Sequence, residues 1–466
     1  MDIAMAGGDA PALRRRAERL DIPGRLERLP TTSYQRKLFG IIASAWLVDQ
    51  IDVALLTFLL GSIVVEFGLT PEQTGLLASM TFAGQLVGNV AAGTASDRWG
   101  RKAVFQVTMV AWGAASLLAA TSWSLGALMV FRFFIGVGVG GEAPVAQAMV
   151  SELVPANVRG KYIAIMEGFW AVGFVLSGTI SYFVLPHLGW RGVFVFVGLL
   201  SLVVLLVRRS LPESPRWLAE RGRLDEADRA VGEMERQVER RTGRPLPAPA
   251  PLFAAALGPA ERGRNPVLTL FAPEYRVWTI MAWGLWSFAL IGFFGLNSWI
   301  AILLKERGFS VIGSVGFVTL ITVGGIPGFA AAAVLLERMG RKPTTAAFLV
   351  LSAAAAYIYG NAGSENALFA AGFTMQFFTF GMWSCLYAYT PELYPTRARS
   401  TGAGFASAFG RVGAILGPMI VPVLVARGGS AAAFEVGAGG FLLAAALVLT
   451  LGVETRGRAL EAISGR

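Results

Sequence analysis

The chain has 466 residues, of which 55% are hydrophobic and only 15% charged, against about 25% charged in an ordinary soluble domain. This composition argues against a soluble protein of this size. The single cysteine, Cys385, and the single histidine, His187, exclude an intrachain disulfide and the usual cysteine- and histidine-rich metal or catalytic sites. We therefore expect no cofactor, and we expect any protons that the protein handles to be carried mainly by carboxylates.

Apolar runs long enough to cross a hydrocarbon core, about 20 residues each, recur along the chain and predict an all-α membrane protein. The polar, Arg-rich residues 1–37 are not expected to be a cleavable secretory signal, because the first apolar run is too long for a signal core. The predicted spans, numbered 1 to 12, are residues 38–63, 73–96, 103–122, 125–150, 162–186, 190–209, 277–303, 311–336, 343–361, 364–390, 400–427 and 431–453.

Basic residues set the expected orientation. An even number of spans places both termini on one side, and 34 of the 40 Lys and Arg residues lie in the terminal segments and in the loops after spans 2, 4, 6, 8 and 10. By the positive-inside rule these parts are cytoplasmic. Topology therefore accounts for most of the net charge of +10, and we expect no nucleic-acid partner. This count assigns the residues at the ends of span 6 to loops, with Arg208 and Arg209 in the basic loop and Arg191 in an opposite loop, and it leaves only Arg132 and Arg411 inside the spans.

The long loop after span 6 has an element of its own. Its apolar residues recur at near-helical spacing among charges of both signs, which predicts one amphipathic helix near 215–241 on the membrane face or the bundle ends. A Pro-rich stretch follows at 245–251. The apolar positions are Trp217, Leu218, Leu224, Ala227, Val231, Met234 and Val238.

Two loop sequences repeat at one offset. DRWGRK at 97–102 follows span 2 and ERMGRK at 337–342 follows span 8, while SELVP at 151–155 and PELYP at 391–395 follow spans 4 and 10; each pair is 240 residues apart. A shared offset in two unrelated loops predicts a duplicated six-span unit with parallel halves. The predicted division is 1–37, an N-terminal cytoplasmic segment; 38–209, a six-helix bundle; 210–276, a cytoplasmic loop; 277–453, a second bundle; and 454–466, a cytoplasmic tail.

Span 4 carries four glycines within six residues, Gly136, Gly138, Gly140 and Gly141. Small residues let membrane helices approach closely, so this run predicts a closely packed helix. A nucleotide-binding glycine loop is disfavoured because no strand precedes the run.

Several motifs resemble the major facilitator superfamily over essentially the whole span region. GTASDRWGRK at 93–102 is similar to that superfamily's cytoplasmic loop signature, and RFFIGVGVGGE at 132–142 with PESPRWL at 212–218 resembles the branch of sugar porters and organic ion transporters. The resemblance implies two pseudo-symmetric six-helix bundles in a bacterial-type inner membrane. Three stretches resemble bacterial niacin (nicotinate) transporters: DQID at 49–52, EGFWAVG at 167–173 and YAYTPELYPTRARSTGAGFASAFGRVGAILGP at 387–418.

Embedded acids are the candidates for proton coupling, because a carboxylate inside a membrane is costly unless paired or protonated. Asp49 and Asp52 share one face of span 1. In the sugar porters that this branch resembles, an acid matching Asp52 pairs with an arginine matching Arg132, so Asp52 is our first candidate and Asp49 our second. The alternative is a structural acid that caps a neighbouring backbone group or closes a permanent ion pair. Further candidates, which could equally stabilise helix packing, are Glu142 and Glu167.

Arg411 is the candidate for binding substrate. A guanidinium deep in span 11 must find an anion, and in the organic ion transporters that this region resembles the matching position is basic in anion carriers. A permanent salt bridge is the alternative. Aromatic side chains could stack on a substrate ring and Asn297 could donate a hydrogen bond, although packing or helix contacts would explain them too. The aromatic candidates are Trp170, Phe174, Trp283, Trp286 and Tyr387.

The repeated loops resemble the superfamily's cytoplasmic latch, which implies ion pairs that hold the halves together in the outward-open state and separate in the inward-open state. Positive-inside topology would explain the basic residues but not the repeated acids. The candidate residues are Asp97, Arg98, Arg101, Glu152, Arg159, Glu337, Arg338, Arg341, Glu392 and Arg399.

The sequence therefore predicts a monomeric secondary transporter that imports a small aromatic monocarboxylate together with protons by alternating access. Nicotinate is the first candidate substrate. The alternatives are another substrate on the same fold, such as a benzoate-type acid, another organic ion, a sugar or a drug, or a transport-inactive sensor. An enzyme is disfavoured because no nucleophile, base and orienting group can be assembled.

Overall fold

The structure, a computed structural model, describes residues 20–154, 156–249, 266–394 and 398–456. Every regular element in this part of the chain is an α helix. The helices are α1 (Ile22–Glu27), α2 (Ser33–Phe67), α3 (Pro71–Trp99), α4 (Arg101–Ala119), α5 (Leu125–Leu153), α6 (Ala156–Arg208), α7 (Pro215–Glu220), α8 (Leu224–Thr242), α9 (Pro266–Leu270), α10 (Arg276–Glu306), α11 (Val311–Thr322), α12 (Gly325–Met339), α13 (Arg341–Gly360), α14 (Glu365–Glu392) and α15 (Arg399–Leu451).

The twelve predicted spans correspond to these helices. Ten stretches of the described chain are long and apolar enough to cross a membrane, and one of them, Ile165–Arg208, contains both span 5 and span 6. Span 10, in α14, is helical but is not among the ten. Its buried polar side chains, including Gln376, Thr379 and Thr390, lower its mean hydropathy, so composition identifies it less clearly as a membrane span. Span 8 is divided between α11 and α12.

Left-handed glycines separate two pairs of spans. Gly189 (φ 64°) interrupts α6 between spans 5 and 6, and Gly429 (φ 72°) interrupts α15 between spans 11 and 12. A side chain at such a φ would be strained, whereas glycine has no Cβ to clash. The two positions are 240 residues apart, the offset found in the loop motifs.

Helix termini follow the same offset. Thr70 and Ser310 accept hydrogen bonds from backbone N–H groups at the starts of spans 2 and 8. Ser124 and Ser364 cap spans 4 and 10 in the same way. Each pair is again 240 residues apart. The duplicated six-span unit is therefore visible in local backbone geometry, and the fold consists of two pseudo-symmetric six-helix bundles.

The span 4 glycines permit the predicted close packing. A Cβ on Gly136 would lie 2.1 Å from the carbonyl oxygen of Thr81 in span 2, and a Cβ on Gly138 would lie 2.5 Å from Trp112 Cβ in span 3. Span 2 contributes reciprocally, because a Cβ on Gly88 would lie 1.9 Å from the carbonyl oxygen of Val137.

Replacing Gly88 with valine is expected to force spans 2 and 4 apart and to lower the thermal stability of the purified protein, at an overpacking cost of about 1–3 kcal/mol. Gly93→Val is the matched control, because no atom lies within 4 Å of a Cβ at Gly93 on the same helix. The melting transition in detergent measures the difference. Equal stability of the two variants would contradict the close approach.

The end of the bundle that carries the loops after spans 2, 4, 6, 8 and 10, here called the basic face, holds a small helical layer. The predicted single helix at 215–241 is wrong: α7 and α8 are separate, and Gly222 (φ 73°) turns the chain between them. The predicted apolar positions are nevertheless all buried, and all but Leu224 belong to a cluster that includes Ile22 and Leu26 of α1. Helix α1, which precedes span 1, therefore packs with this layer.

Ion pairs fasten α1 to α8. Arg25 pairs with Asp228 at 2.6 Å and with Glu235 at 2.7 Å, and Arg28 pairs with Glu235 at 2.6 Å. Burial opposes ionisation of Glu235, but the hydrogen bonds from Arg25 and Arg28 hold its pKa below the usual range. These partly buried pairs fix how α1 lies against α8.

The two halves touch near the opposite face, where α3 begins. The hydroxyl of Ser79 in span 2 donates to the carbonyl of Ile415 in span 11 at 2.7 Å. One turn away, a Cβ on Gly75 would lie 2.7 Å from the carbonyl oxygen of Pro418. Direct contact of backbones across the halves closes this side of their interface.

Candidate functional site

The first buried charge pair lies in the N-terminal half. Arg132 Nη1 in span 4 donates to Asp52 Oδ1 in span 1 at 3.1 Å, and both side chains are at most 1% exposed. Ser116 of span 3 donates to the other carboxylate oxygen at 3.3 Å. The structure thus brings together the two residues first predicted for proton coupling. A cavity of about 10 Å³ beside Arg132 has room for about one water molecule.

A second buried pair lies closer to the basic face. Arg208, at the end of span 6, donates through Nη1 to Glu142 Oε1 and, at 2.6 Å, to the carbonyl of Phe105; both charged side chains are fully buried. Its guanidinium also lies 3.5 Å from the centre of the Phe105 ring. The sequence count assigned Arg208 to a basic loop, and that assignment is wrong. Because Arg208 and Arg209 stand together at the end of an apolar run, nothing in the sequence indicated that the Arg208 side chain is buried.

Asp49 lies beside this second pair. It is fully buried, and neither carboxylate oxygen accepts a hydrogen bond from a donor in the described part of the chain. Its electrostatic neighbours are Glu142, Arg208 and Asp52. The N-terminal half therefore buries three carboxyl groups with only two guanidinium groups in one cluster.

These buried charges do not follow the repeat, although the helix caps and loops do. The residues 240 positions after the five charged side chains are all uncharged. For Asp49, Asp52, Arg132, Glu142 and Arg208 they are Ala289, Gly292, Gly372, Met382 and Val448. The framework is duplicated, whereas this charge cluster belongs to one half.

Arg411 lies where span 11 faces the N-terminal half. In the described part of the chain no hydrogen bond or ion pair reaches its guanidinium, and its Nε is buried without a partner. It interacts electrostatically with Tyr387 of span 10 and with Glu167 of span 5. Glu167 itself accepts a hydrogen bond from Gln147 Nε2 at 3.0 Å. An unpaired guanidinium at such a depth provides a place for an anion.

An aromatic cluster adjoins Arg411 and joins the halves. Trp170 of span 5 lies 4.4 Å from Trp383, 5.1 Å from Phe293 and 5.6 Å from Phe380, measured between ring centroids. Phe174, one turn along span 5, lies 5.4 Å from Phe380. The prediction included Trp170 and Phe174 but missed the other three rings. The aromatic-rich runs in spans 7 and 10 were the available signal.

Tyr387 and Trp286 extend this cluster toward Arg411. Their rings are 5.2 Å apart at an interplanar angle of 85°, and Tyr387 stacks on Trp383 at 6.0 Å. Trp286 Nε1 donates to Thr390 Oγ1 at 2.9 Å, which fixes the orientation of the indole. The structure therefore places Tyr387 near the guanidinium of Arg411, with the Trp286 ring packed against Tyr387.

Two predicted substrate residues lie elsewhere. Trp283 stacks on Phe409 at 3.8 Å and 11°, and Phe409 is 39% exposed on the outside of the bundle. Asn297 donates to the carbonyl of Phe293 at 3.0 Å and accepts from Gln376 Nε2 at 2.9 Å. Both Asn297 contacts stay within the C-terminal half and match the helix-contact alternative.

The loop charges form one network in each half. Arg101 Nη2 lies 3.4 Å from Glu152 Oε1 in the N-terminal half, and Arg341 Nε lies 3.0 Å from Glu392 Oε2 in the C-terminal half. Glu337 pairs with Arg341 at 3.1 Å and is 73% exposed. Every described ion pair of the predicted latch residues joins two groups of the same half.

Two acids that the prediction missed complete these networks. Glu213 accepts from the backbone N–H groups of Arg101 at 3.0 Å and Lys102 at 3.1 Å, at the start of span 3. Glu454 accepts from the N–H groups of residues 341 and 342 at 2.9 and 3.0 Å, at the start of span 9. Burial opposes ionisation of Glu454, but these hydrogen bonds hold its pKa below the usual range. Glu213 and Glu454 are separated by almost the same offset as the repeated loops, and this spacing could have identified them from the sequence.

The remaining latch candidates are Asp97, Arg98, Arg159, Arg338 and Arg399. Arg98 and Arg338 are exposed, and Arg399 begins α15. The side chains of Asp97 and Arg159 lie outside what the structure describes. A role for the latch in holding the halves together stays a prediction.

Two six-helix bundles, with a buried charge cluster in one half and a guanidinium without a described partner facing that half from the other, are the architecture of a multi-pass membrane transporter. The model of the Major Facilitator Superfamily matches residues 42–356 and 318–464. The chain belongs to this superfamily, and it is a transporter rather than an enzyme.

Curated relatives and solved structures agree with this classification. The chain is 35% identical to the niacin transporter NiaP of Acinetobacter baylyi, over 95% of this chain and 100% of that protein. It is 36% identical, over 92% and 98%, to a Bacillus subtilis protein provisionally named as the niacin/nicotinamide transporter NiaP. The partially occluded inward-open xylose transporter XylE of E. coli is similar in fold, with a TM-score of 0.74, 17% identity and coverage of 92% of this chain and 100% of that chain.

Proposed function

We propose that the protein imports a small aromatic monocarboxylate across a bacterial inner membrane by proton symport, with nicotinate as the first candidate substrate. The observation that carries the proposal is Arg411, an unpaired guanidinium beside an aromatic cluster at the interface of the halves. A guanidinium binds a carboxylate through two parallel hydrogen bonds, and neighbouring rings suit a flat aromatic substrate. The relatives of the chain that are named niacin transporters support the choice of nicotinate.

In the proposed complex, Arg411 holds the substrate carboxylate and Trp170, Trp286 and Tyr387 contact its ring. The bound anion takes the place of Glu167 as the nearest negative charge to Arg411. Trp283 and Asn297 are not included, because their contacts lie elsewhere. We further propose that the basic face is cytoplasmic, with both termini on that side, and that the protein acts as a monomer.

A benzoate-type acid is the second candidate, because Arg411 and the aromatic rings do not require a ring nitrogen. Glu167 and Gln147 favour nicotinate, since both are polar groups near Arg411 that can pair with a heterocyclic nitrogen. Competition between benzoate and labelled nicotinate for binding to the purified protein distinguishes the two candidates.

Uptake of labelled nicotinate into proteoliposomes, with and without an inward proton gradient, tests the proposed function. We expect accumulation only with the gradient. Absence of uptake under both conditions would remove the substrate assignment and would leave a sensor of the same fold as the alternative. Uptake that does not depend on the gradient would support nicotinate as the substrate and contradict proton symport.

Asp52→Asn is expected to abolish gradient-driven accumulation while exchange of internal for external nicotinate continues. The substitution keeps the size of the side chain and its contact with Arg132 but removes the carboxyl that can exchange a proton. Both activities are measured in the same vesicles, so exchange shows that the variant is folded. Accumulation at the wild-type level would exclude Asp52 as a coupling residue.

A further inference from the structure

Where spans 1, 4 and 6 meet, three buried side-chain oxygen atoms have no hydrogen-bond donor among the described residues. They are the two carboxylate oxygens of Asp49 and Oε2 of Glu142. The other Glu142 oxygen is held by Arg208, and all three side chains are fully buried. Buried acceptors without donors are costly, and two neighbouring carboxylates also repel each other.

One proton resolves both problems. Placed between Asp49 and Glu142 Oε2, it supplies the missing donor and removes one negative charge. It also balances the cluster, because the three carboxyl groups of Asp49, Asp52 and Glu142 then carry two charges against Arg132 and Arg208. We propose that Asp49 and Glu142 form a carboxyl–carboxylate dyad that binds one proton, a site separate from the Asp52–Arg132 pair.

Arg208 can bind Asp49 as well as Glu142 when that proton leaves. Its Nη2 and Nε atoms are buried and have no hydrogen-bond acceptor in the described part of the chain, while Nη1 donates to both Glu142 and the carbonyl of Phe105. A deprotonated Asp49 is an anion beside these unused donors, so Arg208 can hold both carboxylates at once. The proton lost from the dyad passes to solvent, and no covalent bond other than O–H changes.

The dyad is connected to the basic face. Arg208 is the last residue of α6, and five residues later Glu213 binds the start of span 3 through backbone N–H groups. A shift of Arg208 toward Asp49 therefore acts on the segment that carries Glu213. This link between the proton and the loop network rests on the proposed proton symport, whereas the proton site itself does not depend on the substrate.

Infrared difference spectroscopy of the purified protein in lipid, between acidic and alkaline buffer, tests the dyad. We expect the carbonyl band of a buried protonated carboxylic acid in the wild type, and its loss in Asp49→Asn and in Glu142→Gln. Asp49 makes no ion pair, so Asn at this position is expected to fold. Glu435→Gln is the control, because Glu435 is an exposed acid inside span 12.

The same variants are then compared in vesicles. Asp49→Asn is expected to lose proton-driven accumulation and to retain substrate exchange. An infrared band that persists unchanged in Asp49→Asn would overturn the dyad. If Asp49→Asn loses the infrared band but still accumulates substrate with the gradient, the proton site is supported and its link to transport is contradicted. Failure of nicotinate uptake in the wild type would remove the proposed substrate and leave the infrared result standing.

Discussion

Arg411→Ala is expected to weaken the binding of nicotinate by about a hundredfold or more. Hydrogen bonds to charged groups contribute about 1.5–3 kcal/mol each, and two of them are lost, while 1.4 kcal/mol corresponds to a tenfold change in affinity. The substitution breaks no described ion pair or hydrogen bond of the empty protein. Its effect should therefore fall on the ligand and leave the fold intact.

Calorimetric titration of the purified variant with nicotinate measures this loss. Arg427→Ala is the matched control, because Arg427 lies in the same span but is exposed at the end of that span that is opposite the basic face. Arg411→Lys keeps the charge and loses the planar fork, so we expect an intermediate affinity. Wild-type affinity in Arg411→Ala would show that the carboxylate binds elsewhere.

Arg208→Met is expected to destabilise the protein by about 3–5 kcal/mol, the usual effect of leaving a buried charge without its partner. The methionine fills much of the volume, but Glu142 and Asp49 then face each other without a cation. The melting temperature of the variant in detergent measures the effect. Arg209→Met, at the exposed neighbouring position, is the control.

The double variant Glu142→Met, Arg208→Met distinguishes the contribution of the ion pair to stability from that of side-chain packing. Replacing both members of a buried ion pair by apolar residues of similar volume is often close to neutral, so the double variant should recover most of the lost stability. If the double variant melts as low as Arg208→Met alone, the contact of Arg208 with Phe105 contributes the stability instead.

The sequence anticipated the elements better than the contacts of the charged residues. Span lengths and polarity identified all twelve spans, and the motif offset identified the duplication, because both signals are local. The partner of Arg132 was predicted only through a resemblance. Arg208 was misassigned because the ends of apolar runs do not show whether a basic side chain turns inward or toward water.

The site required distances between residues far apart in the chain. Trp170 and Trp383 are 4.4 Å apart although 213 positions separate them, and no periodicity within either span indicates that pairing. For the same reason Trp283 was grouped with Trp286. They are three residues apart, yet one stacks on Phe409 at the outside of the bundle and the other contacts Tyr387.

The sequence by itself determined the class of fold, the number of spans and the repeat. Hydrophobic length, charge distribution and repeated loop motifs are properties of short stretches of chain, so they can be identified along the sequence. The tertiary structure alone decided which charges are paired. It left Arg411 without a partner, gave Arg208 to Glu142 and placed Asp49 beside both, because the energy of a buried charge depends on neighbours that only the packed helices bring together.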